Sequence, residues 1–289
     1  MEKKRTIEVV DMNSEIFPKR LREIERCPKQ LYCIGSLELL GRRTVAVVGS
    51  RRTTQYGRNT AREIARKLSE RGITVVSGMA AGIDTCAHEG ALKYEGSTIA
   101  VLGCGPDVCY PKINRELKST IEDRGLIVSE FMPGTGVERY HFPMRNRIIS
   151  GLCEGTVVVQ AGAASGAMIT AELAADQNRA VYAVPGNIDS QYNLGNNKLI
   201  KDGAIPVITV GDLLDELGAG GLSEDEAEIL LSDTERGVYD ILMQKGEMTV
   251  DMLCIEMKQK PSDMAKILAI MELKGIVFSS MGKIFIAKN

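Results

Sequence analysis

The chain has 289 residues, 44% of them apolar, with a formal net charge of −2. That length suits one large α/β domain plus a small one, and the near-neutral charge gives no global sign of a nucleic-acid partner. Nothing approaches the ~18 consecutive apolar residues of a membrane helix, the charged start Met1-Glu-Lys-Lys-Arg5 leads into no hydrophobic segment, and the seven cysteines form no CxxC or His/Cys cluster. A membrane span, a signal peptide and a bound metal are therefore not expected, and reduced thiols in a cytoplasmic protein are. The charge is uneven: residues 222–289 carry 8 basic against 12 acidic side chains, a charge of −4, which leaves +2 for the remainder.

Residues 1–43 read as a short lead. Leu21, Ile24 and Pro28 suggest one helix with a stop, and Leu37 to Leu40 a partial turn or strand. The stretch Thr44-Val-Ala-Val-Val48 is too short for a helix and reads as a buried strand. Ala61, Ile64, Ala65 and Leu68 then recur at i, i+3, i+4, i+7, the apolar stripe of a helix over 57–71. The alternation continues with strands at 73–76, 97–102, 126–129, 156–160, 180–184 and 205–208. Helices are predicted at 81–95, 113–124, 143–152, 167–178 and 196–202. Repeated strand–helix units with continuous apolar strands predict a doubly wound, mainly parallel sheet covered on both faces, its ligands outside the strands' carboxyl ends.

Residues 44–217 form this main domain, and 218–233 a linker opening with Gly218-Ala-Gly-Gly221 and running into an acidic stretch. Within 234–289, helices are predicted at 234–244, 249–257 with Thr249 as N-cap, and 261–274 with Gly275 as stop. A hairpin of 276–280 and 283–287 follows. Three helices and then a hairpin is the winged-helix order.

The turn after the first strand, Gly49-Ser50-Arg51-Arg52, faces a helix N-terminus, where unpaired N–H groups and a positive dipole suit an anion. It is neither GxGxxG nor GxxxxGK[ST], so no dinucleotide or P-loop nucleotide follows from it. Later strand ends repeat the chemistry with Ser77-Gly78, Ser165-Gly166 and Asn196. Arg51, Arg52, Arg145, Arg147 and Lys198 all fall at this edge. So do Tyr110, Tyr140 and Phe142, three of only 13 aromatics. Each alone is explained by packing or solvation. Together they are the composition of a single-strand groove, where cations track phosphates and rings stack on bases.

Catalytic candidates are few. His88 shares a helical face with Asp84, which capping and core packing explain as well as chemistry does. His141, beside Phe142 in the loop after the fourth strand, reads either as a hydrogen-bond donor to a phosphate or simply as a loop residue. Glu172, one turn into the helix that Ser165 caps, and then Glu130 are the most plausible catalytic carboxylates, and neither has an evident partner acid. No enzyme activity, cofactor or metal is expected.

Taken in order, several segments resemble one family. They are Ser77-Gly-Met-Ala-Ala-Gly-Ile-Asp84, His88-Glu-Gly-Ala-Leu92, Thr98-Ile-Ala-Val-Leu-Gly103, Tyr110-Pro111 with Asn114, and Phe142-Pro-Met-Arg-Asn-Arg-Ile-Ile149. Ser165-Gly-Ala-Met-Ile-Thr-Ala171, Ala183-Val-Pro-Gly186 and Gly195-Asn-Asn-Lys-Leu-Ile-Lys-Asp-Gly-Ala204 complete the set. From about Phe17 onward the chain is similar to the DNA-processing protein A family (DprA/Smf). The resemblance implies an extended Rossmann fold that binds single-stranded DNA without catalysis, homodimerises and loads RecA recombinase in natural transformation. It implies that Gly49, Ser50 and Arg51 form a phosphate pocket and that Phe142, Arg145 and Asn146 lie along the DNA. Two departures stand out. Many members carry a longer N-terminal helical domain, expected to be absent here because only 43 residues precede the first strand. A glutamate usual at the end of the fifth strand is Gln160. Two other readings compete: a phosphoribohydrolase, whose PGGxGTxxE turn is replaced by Ala161-Gly-Ala-Ala-Ser-Gly166, and a winged-helix regulator reading duplex DNA.

Overall fold

Five strands are buried along their whole length: β3 (Thr44–Val48), β4 (Thr74–Ser77), β5 (Thr98–Leu102), β6 (Leu126–Ser129) and β7 (Gly155–Val158). Such strands need cover on both faces, which is why strand and helix alternate. The computed structural model describes residues 5–94, 97–219, 231–274, 276–280 and 282–286. It divides into two compact units, Met1–Val210 and Gly211–Asn289. Among the described residues no helix is long and apolar enough to cross a membrane.

In the first unit β1 (Glu8–Asp11), β2 (Gln30–Gly35), β8 (Ala180–Ala183) and β9 (Ile205–Pro206) complete a nine-stranded sheet, ordered β1-β2-β6-β5-β4-β3-β7-β8-β9. From β6 to β9 every pairing is parallel; β1 and β2 join antiparallel. The lead therefore adds two strands to the sheet that sequence reading did not anticipate. In β2, Leu31 and Cys33 enter one core cluster while Ile34 enters another. Both faces are apolar, so the period-2 signal was hidden. Only one helical turn, α1 (Lys19–Arg22), forms between them. Leu37–Gly41 is a 3₁₀ turn.

The covering helices are α2 (Gln55–Glu70), α3 (Ile83–Ala91), α4 (Arg115–Arg124), α5 (His141–Leu152), α6 (Gly166–Asp176) and α7 (Leu194–Lys201). In α2 the expected stripe Ala61, Ile64, Ala65 and Leu68 is fully buried, and the Thr54 hydroxyl caps the Gly57 N–H at 3.2 Å. α5 begins at His141, so His141 and Phe142 lie in a helical first turn, not in a loop.

The second unit has the winged-helix order. Helices Asp233–Lys245, Val250–Met257 and Pro261–Leu273 accompany β10 (Met248–Thr249), β11 (Val277–Ser280) and β12 (Lys283–Ile286), paired antiparallel as β10-β12-β11. Ser232 and Glu235 make a capping box, and Thr249 caps the Met252 N–H. Met264, Leu268 and Met271 are buried as its core stripe. The acidic linker stretch, Gly220, Gly221 and the Gly275 stop lie outside the described residues.

Candidate nucleic-acid interface

The strand order reverses at β3. From it the chain runs outward through β4, β5 and β6 on one side and, after crossing back, through β7, β8 and β9 on the other. An open parallel sheet leaves a crevice outside the carboxyl ends at such a point, because the flanking connections go to opposite faces. Here the crevice opens between the turns after β3 and β7, and the Ser50 hydroxyl donates to the Ser165 hydroxyl across it at 3.1 Å. A cavity of about 590 Å³ occupies it.

One wall is the face of α5 carrying Phe142, Arg145, Asn146 and Ile149, spaced i, i+3, i+4, i+7. The Gly49-Ser50-Arg51-Arg52 turn and the start of α6, with Ser165, Gly166, Ala167 and Thr170, supply more of the cavity's polar lining. Nine of the fourteen sequence-predicted site residues thus meet in one cavity. The Arg51 guanidinium carbon stands 5.1 Å from the Phe142 ring centroid, and Tyr110 packs on the same ring at 5.5 Å. This is a cation–π stack with a half-exposed ring at its centre.

The helix N-terminus that opens on the cavity belongs to α6. The N-terminus of α2, which the Gly-Ser-Arg turn was expected to face, is closed by Gln160. Its amide oxygen accepts from the Thr54 N–H at 2.8 Å and the Thr53 hydroxyl at 2.7 Å, while its amide nitrogen donates to Asn193 Oδ1 at 3.1 Å. At α6 the Ser165 hydroxyl caps the Ala167 N–H at 3.3 Å. Gly166 is exposed, and a Cβ added there meets nothing within 4 Å. A phosphate oxygen has free approach to that end of the helix dipole. The turn itself rests on Gly82, whose φ of +91° suits glycine and where a Cβ would stand 2.4 Å from the Ser50 carbonyl oxygen.

Arg145 borders the cavity but is 4% exposed. It donates to the Gly78 carbonyl at 2.7 Å, to the Val101 carbonyl, and through Nε to Asn146 Oδ1 at 3.3 Å. Asp84 faces it, accepting from the Gly78 and Ala80 N–H groups at 3.2 and 3.3 Å. Burial pushes the Asp84 carboxyl above the usual carboxylate range, with the Arg145 charge opposing it. Burial pulls Arg145 down to about 10, so the guanidinium stays charged at neutral pH. Arg145 fastens α5 to the ends of β4 and β5.

The other predicted residues lie elsewhere. Ser77 is fully buried and donates to the Val47 carbonyl at 2.7 Å. Gly78 lies directly over Arg145, and a Cβ there would come within 2.7 Å of the guanidinium. Asn196 is fully buried, its amide nitrogen bonded to the carbonyls of Val158, Val159 and Val184 and its oxygen to the Ala161 N–H. Lys198 is exposed on α7, away from the cavity. Arg147 leaves the opposite side of α5, pairs with Glu130 at 2.5 Å and lines a second groove. His141 is buried against Phe131, with ring centroids 4.0 Å apart, and Tyr140 is exposed beside it.

No acid–base pair assembles from the catalytic candidates. His88 is fully buried, with Nδ1 2.7 Å from Thr98 Oγ1. That hydroxyl spends its proton on the Val75 carbonyl, so it accepts from His88. Glu130 is held by Arg147, and Glu172 is exposed. Sequence reading missed Thr170, Gln191 and Tyr192 in the cavity wall. Thr170 was within reach, being four residues beyond Gly166 on one helix. Gln191 and Tyr192 carry no periodic signal.

Residues 8–218 match the family model described as DNA recombination-mediator protein A. The DNA processing protein DprA of Streptococcus pneumoniae is 43% identical over 202 residues, which is 70% of this chain and 71% of that protein. The X-ray structure of DprA from Streptococcus pneumoniae superposes with a TM-score of 0.70 at 40% identity, covering 73% of this chain and 74% of that one. DNA processing protein A from Helicobacter pylori, whose structure is described for its single-stranded DNA binding mode, gives a TM-score of 0.68 at 30% identity. That match covers 75% of this chain and 98% of the other.

Proposed function

Because the chain belongs to the DNA recombination-mediator protein A family, we propose that it binds single-stranded DNA in the switch-point cavity and loads RecA recombinase onto it. The observation that carries this reading is the conjunction in one cavity of an open helix N-terminus at Gly166, an exposed guanidinium at Arg51 and a half-exposed ring at Phe142. The first two suit a phosphate and the third a base, which is the recipe for sequence-tolerant single-strand binding. In this reading Gly49, Ser50, Arg51, Arg52, Phe142, Asn146, Ser165 and Gly166 touch the strand. Arg145 is a positioning residue, and Ser77, Gly78 and Asn196 shape the walls behind it. Arg147 and Lys198 lie outside the contact surface.

The protein acts in the cytoplasm as a homodimer in natural transformation, shielding incoming single strands, and turns over no substrate. Binding belongs to residues 44–217; 218–233 are a linker, and 234–289 an accessory winged-helix domain. In its third helix Lys266 is paired with Asp263 at 3.4 Å, and Lys274 at that helix's end with Glu235 at 2.8 Å. A duplex-reading helix is normally rich in Lys and Arg, whereas here Asp263 and Glu272 balance Lys266 and Lys274 and leave the helix neutral.

The test is fluorescence anisotropy with single-stranded and duplex oligonucleotides across a salt series, alongside RecA filament assembly on protein-coated single strands. The reading expects single-strand preference, steep salt dependence and faster filament assembly. Duplex preference, or hydrolysis of nucleoside monophosphates that Glu172→Gln abolishes, overturns it.

A further inference from the structure

We propose that Tyr192 is a second base-stacking platform, so that the bound strand runs along the sheet edge from the β5 end to the β7 end. The inference rests on the single-strand reading above. Tyr192 is 37% exposed and lines the cavity with Gln191, from the loop between β8 and α7. Phe142 belongs to another part of the lining: it packs on Tyr110, which follows β5, and under Arg51, which follows β3. The Tyr192 loop is tied to the β7 end, through Asn193 to Gln160 and through Gln191 to the turn at Gly162, so in the order β5-β4-β3-β7 it lies one to three strands from the elements that hold Phe142. The two rings make no contact with each other among the described residues. In this proposal they serve different nucleotides, and Ser50, Ser165 and Gly166 of the same cavity take a phosphate.

The loop is held for such a role. The Asn193 N–H bonds to the Ser190 carbonyl at 3.0 Å, and the Ser190 N–H to the Asn187 carbonyl at 3.2 Å. Gln160 then joins the buried Asn193 side chain to Thr53 and Thr54, so one amide fixes both the Tyr192 loop and the Arg51 turn. A Cβ at Gly162 would stand 3.0 Å from the Gln191 carbonyl oxygen, so the loop lies close on the turn before α6. A ring presented by a bonded loop loses little conformational freedom on stacking. Tyr192 makes no side-chain hydrogen bond and no ring contact among the described residues, which leaves its face available.

The experiment places 2-aminopurine singly along a single-stranded oligonucleotide bound to the full chain. Wild type is expected to show two positions of strongest stacking signal, separated by at least one nucleotide. Phe142→Ala removes one and Tyr192→Ala the other, and Tyr192→Ala weakens affinity roughly 5- to 150-fold while Tyr192→Phe retains it. A single maximum, or a Tyr192→Ala protein that melts and binds like wild type, overturns the second platform and leaves single-strand binding intact. Failure of the wild-type protein to bind any single strand overturns the functional reading itself.

Discussion

The guanidinium of Arg51 lies over the ring of Phe142, 5.1 Å from its centroid, although 91 positions separate them in the chain. The pair bridges the turn after β3 and the first turn of α5, and it joins the two chemistries a single strand requires. A planar cation on an aromatic face keeps its N–H edge free for phosphate.

Arg51→Ala removes one phosphate contact. Affinity should fall for all sequences, and the slope of log K against log salt should shrink by about 1. Arg51→Lys restores the charge but not the planar stack, so it recovers the slope and only part of the affinity. Anisotropy titrations at several salt concentrations read both.

Phe142→Ala should weaken single-strand binding by about 1–3 kcal/mol with little change in the salt slope, because stacking releases no counterions. A melting curve is the control. If stability falls while DNA affinity holds, the ring serves the core instead.

Gln160→Leu keeps approximate size and deletes every bond this side chain makes. The Thr54 N–H loses its partner, at ~1–3 kcal/mol for a buried donor left unsatisfied, and Asn193 Oδ1 keeps only the Ser190 hydroxyl at 3.3 Å. Because those bonds hold two cavity walls, both the melting temperature and single-strand affinity should drop. A substitution that lowers the melting temperature alone would show that the walls hold without it.

His88 predicts an acid-sensitive core. Burial lowers its pKa to about 3 from an ordinary 6.5, because protonation would charge a fully buried ring, and Arg145 adds repulsion. Nε2 has no partner among the described residues. The folded-state pKa is the lower one, so between about pH 6.5 and 3 the unfolded chain binds more protons and stability falls as pH falls. The contribution lost between pH 7 and pH 5 is about 2 kcal/mol. Melting temperatures over that range should drop less steeply in His88→Gln than in wild type.

A truncation ending near Leu217 should retain most single-strand affinity. The residues removed include the segment 222–289 with its charge of −4, which repels phosphate within a Debye length of ~10 Å. Loss of binding by a folded truncation would make the winged helix a principal DNA-binding element.

The sequence by itself determined what short-range chemistry controls. Short unbroken β-branched runs read as buried strands, the spacing of Ala61, Ile64, Ala65 and Leu68 fixed the buried face of α2, and Ser165 and Thr249 marked helix starts that both cap. The strand–helix alternation gave the parallel sheet and the edge where ligands sit. The tertiary structure decided the rest, because strand order depends on long-range pairing that no local pattern encodes. Placing β7 beside β3 brought Ser165 to Ser50 and made α6, not α2, the open helix end. Which face of α5 met the sheet decided that Phe142 reaches the cavity while Arg147, five residues on, turns away to Glu130. Arg145 and Asn196 looked like surface contacts in the sequence. Backbone carbonyls left without partners at the strand ends took them inward, since a buried carbonyl must find a donor and these side chains were the donors within reach.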